Sequence, residues 1–160
     1  MVSMEEYSQK GPKADMRHFK KVLRADLDSR KERIGIYFLL HENTDQEKVI
    51  ESIKTLLREE NCALTIIDCQ EKDGGTYSGK KEDRFLWSKL DHNGNVIIIK
   101  DFRVTEEIRP YQLSLLIDNQ KRYRPHLISV FVLVPSWEEI LKYQNAPHIF
   151  DYYKVLDVEF

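Results

Sequence analysis

Hydrophobic and polar positions fall in blocks along this chain, and the period of each block changes from one to the next. From Asp15 to about Ser29, Met16, Phe19, Val22, Leu23 and Leu27 recur at helical spacing. Ile34 to Leu40 (IGIYFLL) is then continuously apolar and reads as a strand, with Gly35 marking a close approach by a neighbour. Thr44 and Glu47 form a capping box for a helix to about Glu60. Its inward stripe is Val49, Ile50, Ile53, Leu56 and Leu57, and Asn61 can end it. Ala63 to Asp68 is a second strand. Residues 70–82 are a polar, glycine-containing loop, and Phe85, Leu86, Trp87 and Leu90 suggest a short helix.

The most apolar block is Asn95 to Phe102 (NVIIIKDF), entered from the turn signal Asp91-His92-Asn93-Gly94. Such a run suits a strand buried on both faces, and it delivers Lys100-Asp101 to the carboxyl edge, where open α/β sheets keep their ligand sites. Pro110 opens a further helix whose inward residues are expected to be Tyr111, Leu113, Leu115 and Leu116. His126 to Val134 is a fourth strand. Ser136 and Glu139 cap a helix through Tyr143, and Tyr153 to Phe160 is a fifth strand. Strand and helix alternate throughout. The expectation is a three-layer α/β fold with a parallel five-stranded sheet, order 5-1-4-3-2 counting strands along the chain, and helices on both faces. Residues 1–13 read as a flexible tail and residues 14–160 as a single domain.

A chain of 160 residues can bury a substantial core. Its formal net charge of -2 does not mark it for nucleic acid or membranes. The cations Lys20, Lys21, Arg24, Arg30, Lys31 and Arg33 are interrupted by Asp26, Asp28 and Glu32 and read as a solvated helix face. Cys62 and Cys69 do not form a CxxC pair and read as reduced thiols beside a strand. No apolar run is long enough to span a bilayer, and the start, with Glu5, Glu6 and Lys10, has no secretory h-region. A cytoplasmic protein is expected.

The parallel pattern raises the question of a nucleotide site. A phosphate loop needs glycines, so that backbone N–H groups can wrap the phosphates, and a lysine to neutralise them. The connection after the first strand, His41-Glu42-Asn43-Thr44, has neither. Its carboxylates Glu42, Asp45 and Glu47 suit a helix dipole and repel a triphosphate. Gly74 to Lys81 does fit GxxxxGK, with Gly74, Gly79 and Lys80 at the required positions. However, Lys81 stands where a magnesium-binding hydroxyl belongs. Asp101 resembles a Walker B acid, followed by Phe102 in place of a second acid. Gly74, Gly79, Lys80 and Asp101 are therefore the candidate residues of an alternative ATP/Mg site.

A receiver-type site would need adjacent acids after the first strand, and His41-Glu42 supplies one. The five histidines, His18, His41, His92, His126 and His148, lack metal-ligand spacing, and neither Ser129 nor Ser136 sits in a nucleophile elbow. No catalytic or metal constellation is expected. Lys121, Arg122, Tyr123 and Arg124 are the candidates for contact with nucleic acid.

These blocks resemble the core of an AAA+ ATPase that has lost its phosphate loop. In particular, they are similar to the degenerate N-terminal domain of a chloroplast- and cyanobacteria-type AAA ATPase family. The similarity lies in IGIYFLL, the short acidic connection, NVIIIKDF, ISVFVLVPS and YKVLDVEF, over about residues 15–160. HENTDQEK and the 70–82 loop depart from that pattern. The resemblance implies a P-loop NTPase-like fold without the loop and no bound cofactor. It further implies a role as a protein-interaction or scaffolding module, with an AAA+ ATPase domain or a second copy as partner. It also implies the leading domain of a longer protein. The delta subunit of bacterial DNA polymerase III is a second resemblance and implies a nucleic-acid-associated, clamp-loading adaptor.

Overall fold

The computed structural model describes residues 13–29, 34–70, 95–143, 146 and 153–160, and for Ser29 and Tyr123 the backbone only. The strands are β1 (Lys13–Ala14), β2 (Gly35–Leu40), β3 (Leu64–Asp68), β4 (Val96–Lys100), β5 (Ser129–Val134) and β6 (Tyr153–Val158). The helices are α1 (Met16–Ser29), α2 (Gln46–Glu59), α3 (Pro110–Tyr123) and α4 (Trp137–Leu141). The sheet order is β1-β6-β2-β5-β4-β3, and every neighbouring pair is parallel.

The sheet thus has six strands where five were expected; with β1 left out, the other five stand in the expected order 5-1-4-3-2. The additional strand is β1, which adds to the outer side of β6 (Lys13 opposite Asp157, Ala14 opposite Val158). Lys13 therefore belongs to the sheet and not to a tail. A two-residue strand carries no periodicity of its own; here the buried Ala14 side chain and the Lys13–Glu159 ion pair at 3.1 Å hold it.

Side-chain alternation along the parallel strands builds a core on each face. Ile36, Phe38, Leu40, Ile97, Ile99, Val130, Val132 and Val134 meet Leu113, Leu116 and Ile117 of α3 and Ile140 of α4. Tyr37, Leu39, Val96, Ile98, Phe131, Leu133 and Leu156 meet Phe19 and Leu23 of α1 and the Val49–Leu57 stripe of α2. Helices thus cover both faces, as the continuous apolar strands require.

Local chemistry sets the helix ends. Asp15 Oδ1 accepts from the His18 N–H at 2.8 Å at the start of α1. Beyond α2, Asn61 takes φ = 55°, and the N–H groups of Asn61 and Cys62 return to the carbonyls of Arg58 (3.3 Å) and Leu57 (2.9 Å). That is a Schellman motif, with Asn standing in for the usual Gly. Ser136 Oγ caps α4 by accepting from the Glu139 N–H at 3.3 Å.

Three local expectations are corrected. The Thr44 capping box does not form: the N-cap position falls on Asp45, without a side-chain bond, and the Thr44 hydroxyl lies 3.5 Å from the carbonyl of Val158 instead. Tyr111 and Leu115 face solvent, at 56% and 54% exposure, because the inward stripe of α3 is Leu113, Leu116, Ile117 and Gln120. Helix α4 ends at Leu141, two residues before Tyr143. The helix expected around Phe85–Leu90 lies outside the described residues.

Candidate functional site

In a parallel sheet every strand points its carboxyl end the same way, so one edge collects the residues that follow the strands. Here those residues are His41 after β2, Cys69 and Gln70 after β3, Asp101 to Arg103 after β4, and Ser136 after β5. The α2 N-terminus opens on the same edge, because only His41 to Asp45 separates it from β2.

Lys100 ends β4 on this edge, beside the outermost strand β3. Its ammonium lies 3.6 Å from Asp68 Oδ2 and 3.8 Å from Glu47 Oε1, joining β4 to β3 and to the first turn of α2. Glu47 is well exposed, so its pair with Lys100 contributes at most about 1 kcal/mol. Its consequence lies in the sign of the charges. A carboxylate sits on the helix start and a cation on the strand, the reverse of what a phosphate loop and its acid partner require. Glu42 turns to α4, where its Oε2 accepts from the Trp137 N–H at 3.4 Å.

Asp101 takes φ = 61°, a left-handed conformation that Asp tolerates better than most residues. Its carbonyl accepts from Gln70 Nε2 at 3.0 Å, and its carboxylate lies 3.7 Å from Arg103 Nη2. The residue expected as a Walker B acid therefore sits at the sheet edge, but its carboxylate faces an arginine.

His41 is 7% exposed. Its Nδ1 lies 3.2 Å from the Thr44 carbonyl, which makes Nδ1 the protonated nitrogen and Nε2 the acceptor. Among the described residues, Nε2 is buried without a hydrogen-bond partner. Burial is the main force holding the His41 pKa below its ordinary value, and the Thr44 carbonyl opposes it. The charges of Arg103 and Asp101 act on it in opposite directions. The sequence shows His41 only as a histidine without metal spacing; its burial arises from the tertiary packing around the end of β2.

A second polar group sits near the amino ends of β2 and β5. Asp26 Oδ2 accepts from the Tyr37 hydroxyl and from Ser129 Oγ, each at 2.8 Å. Burial, then the bond to Asp26, raises the Tyr37 pKa. Ser129 is fully buried and donates to a carboxylate, so the group anchors α1 to the sheet. A hydrophilic position, Asp26, amid the Phe19–Leu27 stripe was the signal for it.

Of the candidate nucleic-acid residues, Lys121 and Arg122 are exposed on the last turn of α3, and Lys121 lies 3.8 Å from Asp118. Arg124 is only 2% exposed. Its Nε donates to Gln120 Oε1 at 2.7 Å and its Nη1 to Thr65 Oγ1 at 3.2 Å, tying the end of α3 to the edge strand β3. The structure thus separates Arg124 from its two exposed neighbours. Gly74, Gly79 and Lys80 lie outside the described residues. Among the described residues there is no group of three or more potential metal ligands.

No protein-family model and no curated protein matches the chain. Solved structures do. A chain of Drosophila ORC, in a complex with poly(dA/dT) DNA and Cdc6, is similar with a TM-score of 0.54 and 13% identity. The match covers 98% of this chain and 29% of that one. A Drosophila ORC structure with GC-rich DNA and Cdc6 matches at TM-score 0.48 and 12% identity, over 96% of this chain and 28% of that one. The α/β fold here, with its parallel sheet, is thus similar to the fold of part of that first ORC chain. The chain spans less than a third of the length of the ORC chain it resembles.

Proposed function

We propose that this domain is a non-catalytic protein-interaction or scaffolding module, built on an AAA+ core without a phosphate loop and working in the cytoplasm. The observation that carries this reading is Lys100, held between Glu47 and Asp68 at the mouth of the sheet. A nucleotide phosphate arriving at the α2 N-terminus would meet the carboxylates of Glu47 and Asp45 where it needs backbone N–H groups and a lysine. The four residues 42–45 that join His41 to α2 contain no glycine, so this connection has no wrap to offer a phosphate. The resemblance to a degenerate AAA-type N-terminal domain agrees with this. It names the partner class as an AAA+ ATPase domain or a second copy of the chain.

Calorimetric titration with ATP and GTP in magnesium tests the reading. The expected result is no saturable binding into the millimolar range. Micromolar binding that disappears in Lys80→Ala would replace this reading with that of an NTPase using the 74–81 segment.

A further inference from the structure

We infer that the groove between α1 and α2 is a docking site for an acidic, amphipathic peptide segment of a protein partner. The inference rests on the reading of the domain as an interaction module. The groove holds about 480 Å³ and is lined by Met16, Arg17, Lys20, Ser52, Leu56 and Glu59, among others. Met16 and Leu56 supply an apolar floor, continuous with the core beneath α1 and α2.

The α1 wall is cationic by construction. Arg17, Lys20, Lys21 and Arg24 are all exposed and stand at i, i+3, i+4 and i+7, so they form one stripe along the helix. The chain as a whole has more acids than bases, 27 against 25, which makes this stripe a local excess of positive charge. At its far end Arg24 Nε meets Glu60 Oε1 at 3.3 Å. Of these, Lys20, Lys21 and Arg24 belong to the run expected from sequence to be a solvated helix face. The tertiary structure sets the side of that face against a groove with an apolar floor, and this is what distinguishes it from a merely solvated one.

The opposite wall selects peptide over nucleic acid. It presents Ser52, Thr55 and Glu59, with Glu60 beyond. A phosphodiester backbone laid along the cations would bring its charges against these carboxylates. A peptide can place Asp or Glu on Arg17 and Lys20, seat a Leu, Met or Phe on Met16 and Leu56, and turn N–H donors to Thr55 and Glu59. This is the usual helix-in-groove or extended-peptide arrangement of apolar anchors with a charged rim.

The test is selection from a phage library of random peptides of about twelve residues. The protein is the bait, and the double variant R17E/K20E is used for depletion. Enriched peptides should carry two or more carboxylates beside a large apolar residue. A synthetic copy, followed by fluorescence anisotropy, should lose about tenfold or more in affinity for R17E/K20E. It should lose a similar amount for Ser52→Trp, which fills the groove without changing charge. Arg17 and Lys20 are exposed and Ser52 is half-buried on the groove wall, and thermal midpoints close to the parent's should show that both variants fold. No enrichment, peptides that bind R17E/K20E equally well, or a duplex DNA probe that binds more tightly than the peptides through the same cations would each overturn the inference. Peptide binding elsewhere on the protein would sink the groove and leave the module reading intact. Micromolar binding of magnesium-ATP would sink the module reading itself.

Discussion

Gly35 offers the sharpest test of how α1 is fastened to the sheet. A Cβ at this position would collide with Asp26 Oδ2 and would lie 2.8 Å from both Cε2 and the hydroxyl of Tyr37. Two effects of Gly35→Ala compete. Glycine inside a strand costs roughly 0.5–1 kcal/mol relative to alanine, so propensity favours the substitution. Against this, the methyl group must push aside a carboxylate that accepts from Tyr37 and Ser129 at 2.8 Å each. Hydrogen bonds to a charged group are worth about 1.5–3 kcal/mol each. Asp26 is partly exposed, so its charge is screened and the lower end applies.

Weakening both bonds and overpacking the site should cost roughly 2–4 kcal/mol. The net expectation is a loss of roughly 1.5–3 kcal/mol, or a thermal midpoint lowered by roughly 4–10 °C in a domain of this size. Urea melts of the parent, Gly35→Ala, Asp26→Ala and the double variant would measure the coupling. Because the collision is partly with Asp26, the alanine should cost much less once that carboxylate is gone. A stabilising Gly35→Ala, or an unchanged cost in the Asp26→Ala background, would refute the reasoning.

Ile98 is fully buried in β4 between β3 and β5, so Ile98→Asp places an unpaired charge where no partner can reach it. That penalty can exceed the whole stability of a small domain, about 5–15 kcal/mol, and circular dichroism should show no cooperative melt. Phe160 is partly buried, with its ring edge-on to Phe19 at a centroid distance of 5.4 Å. Its deletion should cost roughly 1–2 kcal/mol and lower the midpoint by a few degrees in differential scanning calorimetry; no shift would mean the contact contributes nothing. Burial holds the His41 pKa below its ordinary value, so the folded state favours the neutral ring. The sign follows from linkage: this contribution to stability is fully present above about pH 6.5 and is lost as pH falls through the lowered folded value. Urea melts should therefore weaken below that pH more steeply in the parent than in His41→Gln, and identical slopes would contradict the assignment.

The elements legible from sequence are those whose side chains repeat. NVIIIKDF could only be an interior strand, because four consecutive branched apolar residues need cover on both faces, and β4 has it. The amphipathic stripe of α2 and the Asn61 stop follow from spacing and from the backbone freedom of asparagine. Lys100 and Asp101 at the carboxyl edge follow as well, since a parallel strand delivers its last residues there. Those inferences use only neighbours along the chain.

Other features depend on residues far apart in sequence, which no local period records. Lys13–Ala14 become a strand only because β6 leaves an edge open to them. Arg124 is drawn into the fold by Thr65, 59 residues away, although its sequence context groups it with exposed cations. Tyr111 and Leu115 have the composition of a buried face but lie just off the stripe that α3 turns to the sheet. Ser129 is 103 residues from the carboxylate it meets, and Gly35 has to be glycine for that same carboxylate. A period along the chain shows which face of an element is apolar. Which polar groups then meet depends on how helices and strands are brought together, and this is settled only when the sheet closes between its two helical layers.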